Sequence, residues 1–256
     1  LPEPDAPRMA TLLPRSMLRL TLSRIVSSAF ELLTTLLRWR AIITLSDMVS
    51  DLMKPWKNCL AAILLSLVTL PASAQGILIV GDSISAAFGL ELERGWVSLL
   101  EARLREESVD VPVVNASVSG DTTAGGLARL PRLLQQHEPE LVIIELGGND
   151  GLRGLAPDKM QQNLSAMIEA SAQTGADVIL LGMRIPPNYG VRYTEAFEQV
   201  YRTLGAEPQV ALVPFVLEGV AGIPELMQGD GVHPNAQGQP GILKNAWPPI
   251  SDWLVK

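Results

Sequence analysis

The sequence predicts an α/β fold: a three-layer α/β/α sandwich around a central, mostly parallel five-stranded sheet. Two observations from residue 75 onward support this. Short apolar, β-rich runs are continuous rather than alternating, which suits strands covered on both faces. Longer stretches with helical spacing separate them, and no internal repeat or low-complexity linker interrupts the series.

The strands are expected at Ile77–Val80, Val111–Asn115, Leu141–Leu146, Val178–Gly182 and Val210–Pro214. The first helix is expected over Trp96–Glu107, from the spacing of Trp96, Leu99, Leu100 and Leu104. Thr122–Gln136 repeats Leu127, Leu130, Leu133 and Leu134, with Asp121 as a candidate cap. Pro157–Thr174 carries Met160, Leu164, Met167 and Ile168, opens on a helix-starting proline and closes at Gly175. Val191–Leu204 and a proline-interrupted tail, Asn235–Val255, complete the set. In such a sheet, functional groups gather at the carboxyl ends of the strands.

The first 74 residues read differently. Met53–Ala74 has a basic start at Lys54 and Lys57, an apolar run of 11 residues from Leu60 to Leu70, and Ala72-Ser73-Ala74. That is the pattern of a secretory signal cleaved after Ala74. The run is short of the ~20 residues a membrane-spanning helix needs. Residues 1–52 mix arginines with leucine-rich stretches and are read as an upstream leader, either disordered or foreign to the native protein. The domain proper is expected at 75–256, in the periplasm or secreted, with no stable membrane anchor after cleavage.

Residues 75–256 carry 12 Lys/Arg against 22 Asp/Glu, a net charge of −10. An acidic domain argues against nucleic acid and against docking on anionic membranes. Cys59, the only cysteine, lies inside the expected signal, so the domain would hold no disulfide and no thiol nucleophile. No obligate protein partner is expected.

Of the two histidines, His137 ends a predicted helix, where a cation suits the helix dipole. His233 sits in Gly229-Asp230-Gly231-Val232-His233-Pro234, a turn able to fold Asp230 back onto one imidazole nitrogen. The other nitrogen is then free for Ser83, delivered off the first strand in Gly81-Asp82-Ser83. A serine hydroxyl needs an imidazole to take its proton and a carboxylate to orient that imidazole. The lipase-type G-x-S-x-G elbow is absent, because Ser85 takes its last glycine position. Gly120 after the second strand and Asn149 in the glycine-rich loop Gly147–Gly154 after the third offer a backbone N–H and a neutral amide. With the N–H of Ser83 they would make a three-donor oxyanion hole.

Ser83, Gly120, Asn149 and His233, in four blocks in this order, resemble the SGNH (GDSL) hydrolase superfamily, whose sheet is flavodoxin-like. Gly81–Leu90, Gly147–Gly154 and Asp230–Asn235 are most similar to its bacterial thioesterase I, lysophospholipase L1 and arylesterase group. The resemblance covers Ile77–Trp253 and implies a serine esterase or thioesterase acting on small-molecule acyl esters or thioesters. Ser83, Asp230 and His233 would form the triad, with Ser83, Gly120 and Asn149 as the oxyanion hole. It implies no metal and no cofactor. Leu152 and Leu155, beside Asn149, and Ile185 and Pro186, after the fourth strand, are expected to line an acyl trough. A carbohydrate O-acetyl esterase is the alternative within the superfamily. The scarcity of aromatic residues, with Trp96, Trp247 and Trp253 the only tryptophans in the domain, disfavours a sugar cleft. A non-catalytic binding domain would not need every catalytic position filled.

Overall fold

The computed structural model describes residues 27–28, 31–40 and 76–256. The chain divides into two units, Leu1–Leu70 and Pro71–Lys256. In the first, residues 31–40 are helical. The expected signal, Met53–Ala74, lies outside the described residues, as does Cys59.

The second unit runs β1 (Ile77–Gly81), α1 (Trp96–Glu106), β2 (Val113–Asn115), α2 (Thr123–His137), β3 (Leu141–Glu145), α3 (Gly148–Leu152), α4 (Pro157–Gln173), β4 (Asp177–Leu181), α5 (Val191–Leu204), β5 (Val210–Val213) and α6 (Gln239–Leu254). The five strands pair in the order β2-β1-β3-β4-β5, and every pairing is parallel. The expectation of a mostly parallel sheet is thus met by an entirely parallel one. Every residue of β1 and β3, the two strands flanking the change of strand order, is buried. Helices α1 and α6 pack together, while α2, α4 and α5 pack in series, so the two groups cover opposite faces.

Three expectations need correction. Thr122, rather than Asp121, caps α2: its Oγ1 accepts from the Gly125 N–H at 3.4 Å, while Asp121 pairs with Arg129 at 2.8 Å. Gly147–Gly154 is not a plain loop, because Gly148–Leu152 closes into a helical turn. The C-terminal tail is one continuous helix although Pro248 and Pro249 lie inside it. Each proline removes a backbone donor, but Ile242, Ala246 and Ile250 are fully buried along the inner face and hold the helix to the sheet.

The parallel order changes direction between β1 and β3. In open α/β sheets the crevice beyond the carboxyl ends at such a switch point is where ligands bind. Ser83 leaves β1 there, and Asn149 leaves β3 beside it.

Candidate active site

The turn after β1 is shaped by what lies beneath it. A side chain at Gly81 would meet Ser85 Cβ at 2.8 Å and Glu145 Oε2 at 2.9 Å, so only glycine lets the turn settle against β3. Asp82 then faces inward, accepting the Ile84 N–H at Oδ1 (3.0 Å), and Ser83 faces the crevice. Gly147, with φ +119°, starts α3 in a conformation L-residues avoid; a side chain there would strike the Tyr201 hydroxyl.

His233 Nε2 lies 2.9 Å from Ser83 Oγ, and His233 Nδ1 lies 2.7 Å from Asp230 Oδ2. The other oxygen of Asp230 accepts the backbone N–H groups of Val232 (2.9 Å) and His233 (3.0 Å). Gly231, at φ +67°, permits this tight return of the chain. These donors hold the Asp230 carboxyl down to about 2, with the His233 backbone and ring contacts contributing most. It is therefore an anion throughout the neutral range. Phe88 tilts over the imidazole at 4.5 Å between ring centroids, and the Gln228 N–H donates to the His233 carbonyl at 2.7 Å. Neither residue stood out in the sequence, since each needs the fold to bring it to the histidine.

Asn149 Nδ2 donates to Asp82 Oδ2 at 3.0 Å. An amide nitrogen carries two protons, so the second is available to a ligand. Gly120 adopts φ +78°, and its carbonyl accepts from Arg153, just past α3, at 2.9 Å. Among the described residues no acceptor takes the backbone N–H of Ser83 or Gly120. Arg129 of α2 ties this side together, reaching the Gly81 carbonyl at 3.3 Å, the Ala116 carbonyl and Asp121.

Ser83, Asn149 and His233 open on a cavity of about 420 Å³. Leu152, Met183, Ile185, Phe215, Leu217 and Met227 give it apolar walls, and Pro186 lies on its rim. Leu155 does not belong to it. Gly154, at φ +65°, turns the chain away, leaving Leu155 43% exposed with its carbonyl bound by the Tyr193 hydroxyl. No tryptophan of residues 76–256 lines it: Trp96 is fully buried and Trp247 lies under Arg103.

Behind Ser83 lies a pair of carboxyls that the sequence did not reveal. Asp82 is 2% exposed and Glu145 fully buried. Glu145 Oε2 accepts from the Ser85 hydroxyl at 2.8 Å and the Asp82 N–H at 3.3 Å, while its Oε1 has no partner among the described residues. Burial pushes both carboxyls up, Asp82 to about 6 and Glu145 well above the usual range, the latter also through repulsion by Asp82.

Such an arrangement has the parts for acyl transfer: a hydroxyl against an imidazole, an anion on its far side, donors beside the hydroxyl and an apolar slot for a chain. Comparison with known proteins agrees. The profile of the GDSL-like lipase/acylhydrolase family matches residues 79–239. Esterase TesA of Pseudomonas aeruginosa is 57% identical over 197 residues, spanning 77% of this chain and 96% of that protein. Thioesterase 1/protease 1/lysophospholipase L1 of Escherichia coli K12 is 44% identical over 185 residues, 72% of this chain and 84% of that one. The crystal structure of TesA superposes with a TM-score of 0.66 at 59% identity, covering 68% of this chain and 97% of that one.

Proposed function

The chain belongs to the GDSL-like lipase/acylhydrolase family, and within it we propose a serine esterase and thioesterase that works through an acyl-enzyme on Ser83. His233 Nε2 takes the Ser83 proton as Oγ forms its bond to the acyl carbon. The carbonyl oxygen becomes an oxyanion among the N–H groups of Ser83 and Gly120 and the Asn149 amide. Collapse breaks the bond to the alcohol or thiol, which leaves with the proton held by His233. Water, deprotonated by the same imidazole, then attacks the acyl-enzyme and restores Ser83. Asp230 keeps Nδ1–H directed toward itself and stabilises the imidazolium.

The observation that carries this reading is the continuous Asp230–His233–Ser83 relay at the mouth of an apolar cavity. The substrate is a small acyl ester or thioester with its chain in that cavity. Phe215 is its one aromatic wall, and the Arg184 guanidinium covers that ring at 4.8 Å, which is a poor platform for a sugar. The Met53–Ala74 pattern supports export and action as residues 75–256 outside the cytoplasm; a native N-terminus at Gln75 is the expected result, and one upstream of Met53 contradicts it.

The test compares p-nitrophenyl esters from C2 to C16, and palmitoyl-CoA, on the protein and its Ser83→Ala variant. Turnover in the parent that disappears in the variant supports the reading. A folded parent inactive on every acyl donor overturns it.

A further inference from the structure

The Asp82 carboxylate faces two donors at once, the Ile84 N–H at Oδ1 (3.0 Å) and the Asn149 amide at Oδ2 (3.0 Å). Both oxygens therefore act as acceptors, the role that an ionised carboxylate fills with every lone pair and with no proton directed at either donor. We propose that Asp82 is the positioning residue that decides which end of the Asn149 carboxamide faces the oxyanion hole. The inference rests on the acyl-transfer reading above and adds to it a residue that touches no reacting atom.

The argument is one of donor and acceptor matching. With Oδ2 an acceptor, Asn149 must present Nδ2 to Asp82, and the second proton on that nitrogen can point to the ligand. A proton on Oδ2 makes it a donor. The carboxamide then does best turned over, with Oδ1 toward Asp82 and Nδ2 on the far side. An oxygen would occupy the place where the oxyanion needs a donor, and attraction would become repulsion. Asp82 is buried, so no bulk water can stand in for either partner.

The surroundings place this switch near neutral pH. Glu145 faces Asp82 from β3 and, kept protonated by burial and by the Asp82 charge, favours the Asp82 anion by hydrogen bonding; His233 from the C-terminal loop attracts that anion, and Tyr201 of α5 lies close enough to be affected by it. The Arg129 guanidinium stops one residue short, on the Gly81 carbonyl. Among the described residues no lysine or arginine is a cause of the Asp82 shift, and burial dominates, lifting the carboxyl to about 6.

A double-mutant cycle on kcat tests the link, using Asp82→Asn, Asn149→Ala and the pair. Asn149→Ala alone is expected to lose about 10²–10³-fold, the usual cost of one oxyanion donor. Asp82→Asn strands one donor and is expected to lose about tenfold or more with KM little changed, yet to change kcat less than about threefold in the Asn149→Ala background. Equal losses in both backgrounds overturn the proposal and leave the acyl-enzyme reading intact, since Ser83→Ala tests that separately. Should Asp82→Asn not fold, the Asn149 side-chain ¹⁵N–¹H₂ signals of the parent protein report the same coupling. They are expected to shift between pH 5 and 8; signals unmoved across that range overturn the proposal.

Discussion

Ser83 Oγ and His233 Nε2 stand 2.9 Å apart although 150 residues separate them in sequence. The nucleophile sits in the turn that follows β1, a strand flanked on both sides by β2 and β3, while the base sits on a loop pinned by its own carboxylate. Replacing His233 by Ala removes the only imidazole near Ser83, because His137 ends α2. We expect kcat on p-nitrophenyl butyrate to fall on the order of 10⁴–10⁶-fold. A loss smaller than tenfold would mean another base serves Ser83.

Asp230 makes three contacts through two oxygens, two to backbone N–H groups and one to the imidazole. An amide at this position cannot accept at both ends, so Asp230→Asn disturbs either the turn or the imidazole tautomer. The expected loss in kcat is about 10²–10⁴-fold with KM within a few-fold. Because the carboxyl is held down to about 2, the acid limb of the parent's pH profile should contain no contribution from Asp230. An acid limb that shifts in parallel with Asp230 chemistry would contradict this.

Ile185 is 8% exposed and forms part of the apolar wall. Ile185→Ala should lower kcat/KM for octanoyl and longer esters about tenfold, as expected when a few methylene contacts are lost, while the acetyl ester stays within about threefold. An equal loss at every chain length would place Ile185 in the core rather than against the acyl chain.

Asp82 and Glu145 hold protons more tightly in the folded chain than in an unfolded one. Between the ordinary carboxylate values, 3.8 and 4.5, and about 6, the unfolded state gives up protons that the folded state keeps. Stability from this pair therefore falls as pH rises through that window. Glu145→Gln removes one of the two raised carboxyls, so its Tm should drop less than the parent's between pH 4.5 and 7, by a few °C. Parallel Tm curves for the two proteins would show that the buried pair carries no such strain.

The sheet was legible because buried parallel strands write themselves as unbroken apolar runs, and β1 and β3 are buried at every position. Ser83, Asn149 and His233 were legible because polar residues beside glycine at strand ends and turns stand out against those runs. Glu145 was not. It lies inside the expected strand Leu141–Leu146 with no charged neighbour in sequence to mark it, and only the fold shows it sealed beneath the Ser83 turn. Leu155 misled for a related reason: sequence proximity to Asn149 suggested the pocket, but the left-handed turn at Gly154 carries the chain elsewhere. Pro248 and Pro249 suggested a broken tail, and tertiary burial of Ile242, Ala246 and Ile250 outweighed the lost backbone bonds.

The central claim is that Ser83 is an activated nucleophile, and covalent labelling examines it without assuming a substrate. The protein and its Ser83→Ala variant would be treated with a fluorophosphonate and followed by intact mass and peptide mapping. The account predicts one adduct per chain, carried on Ser83, and none in the variant. A folded parent that stays unlabelled, or an adduct on any other serine, would contradict it.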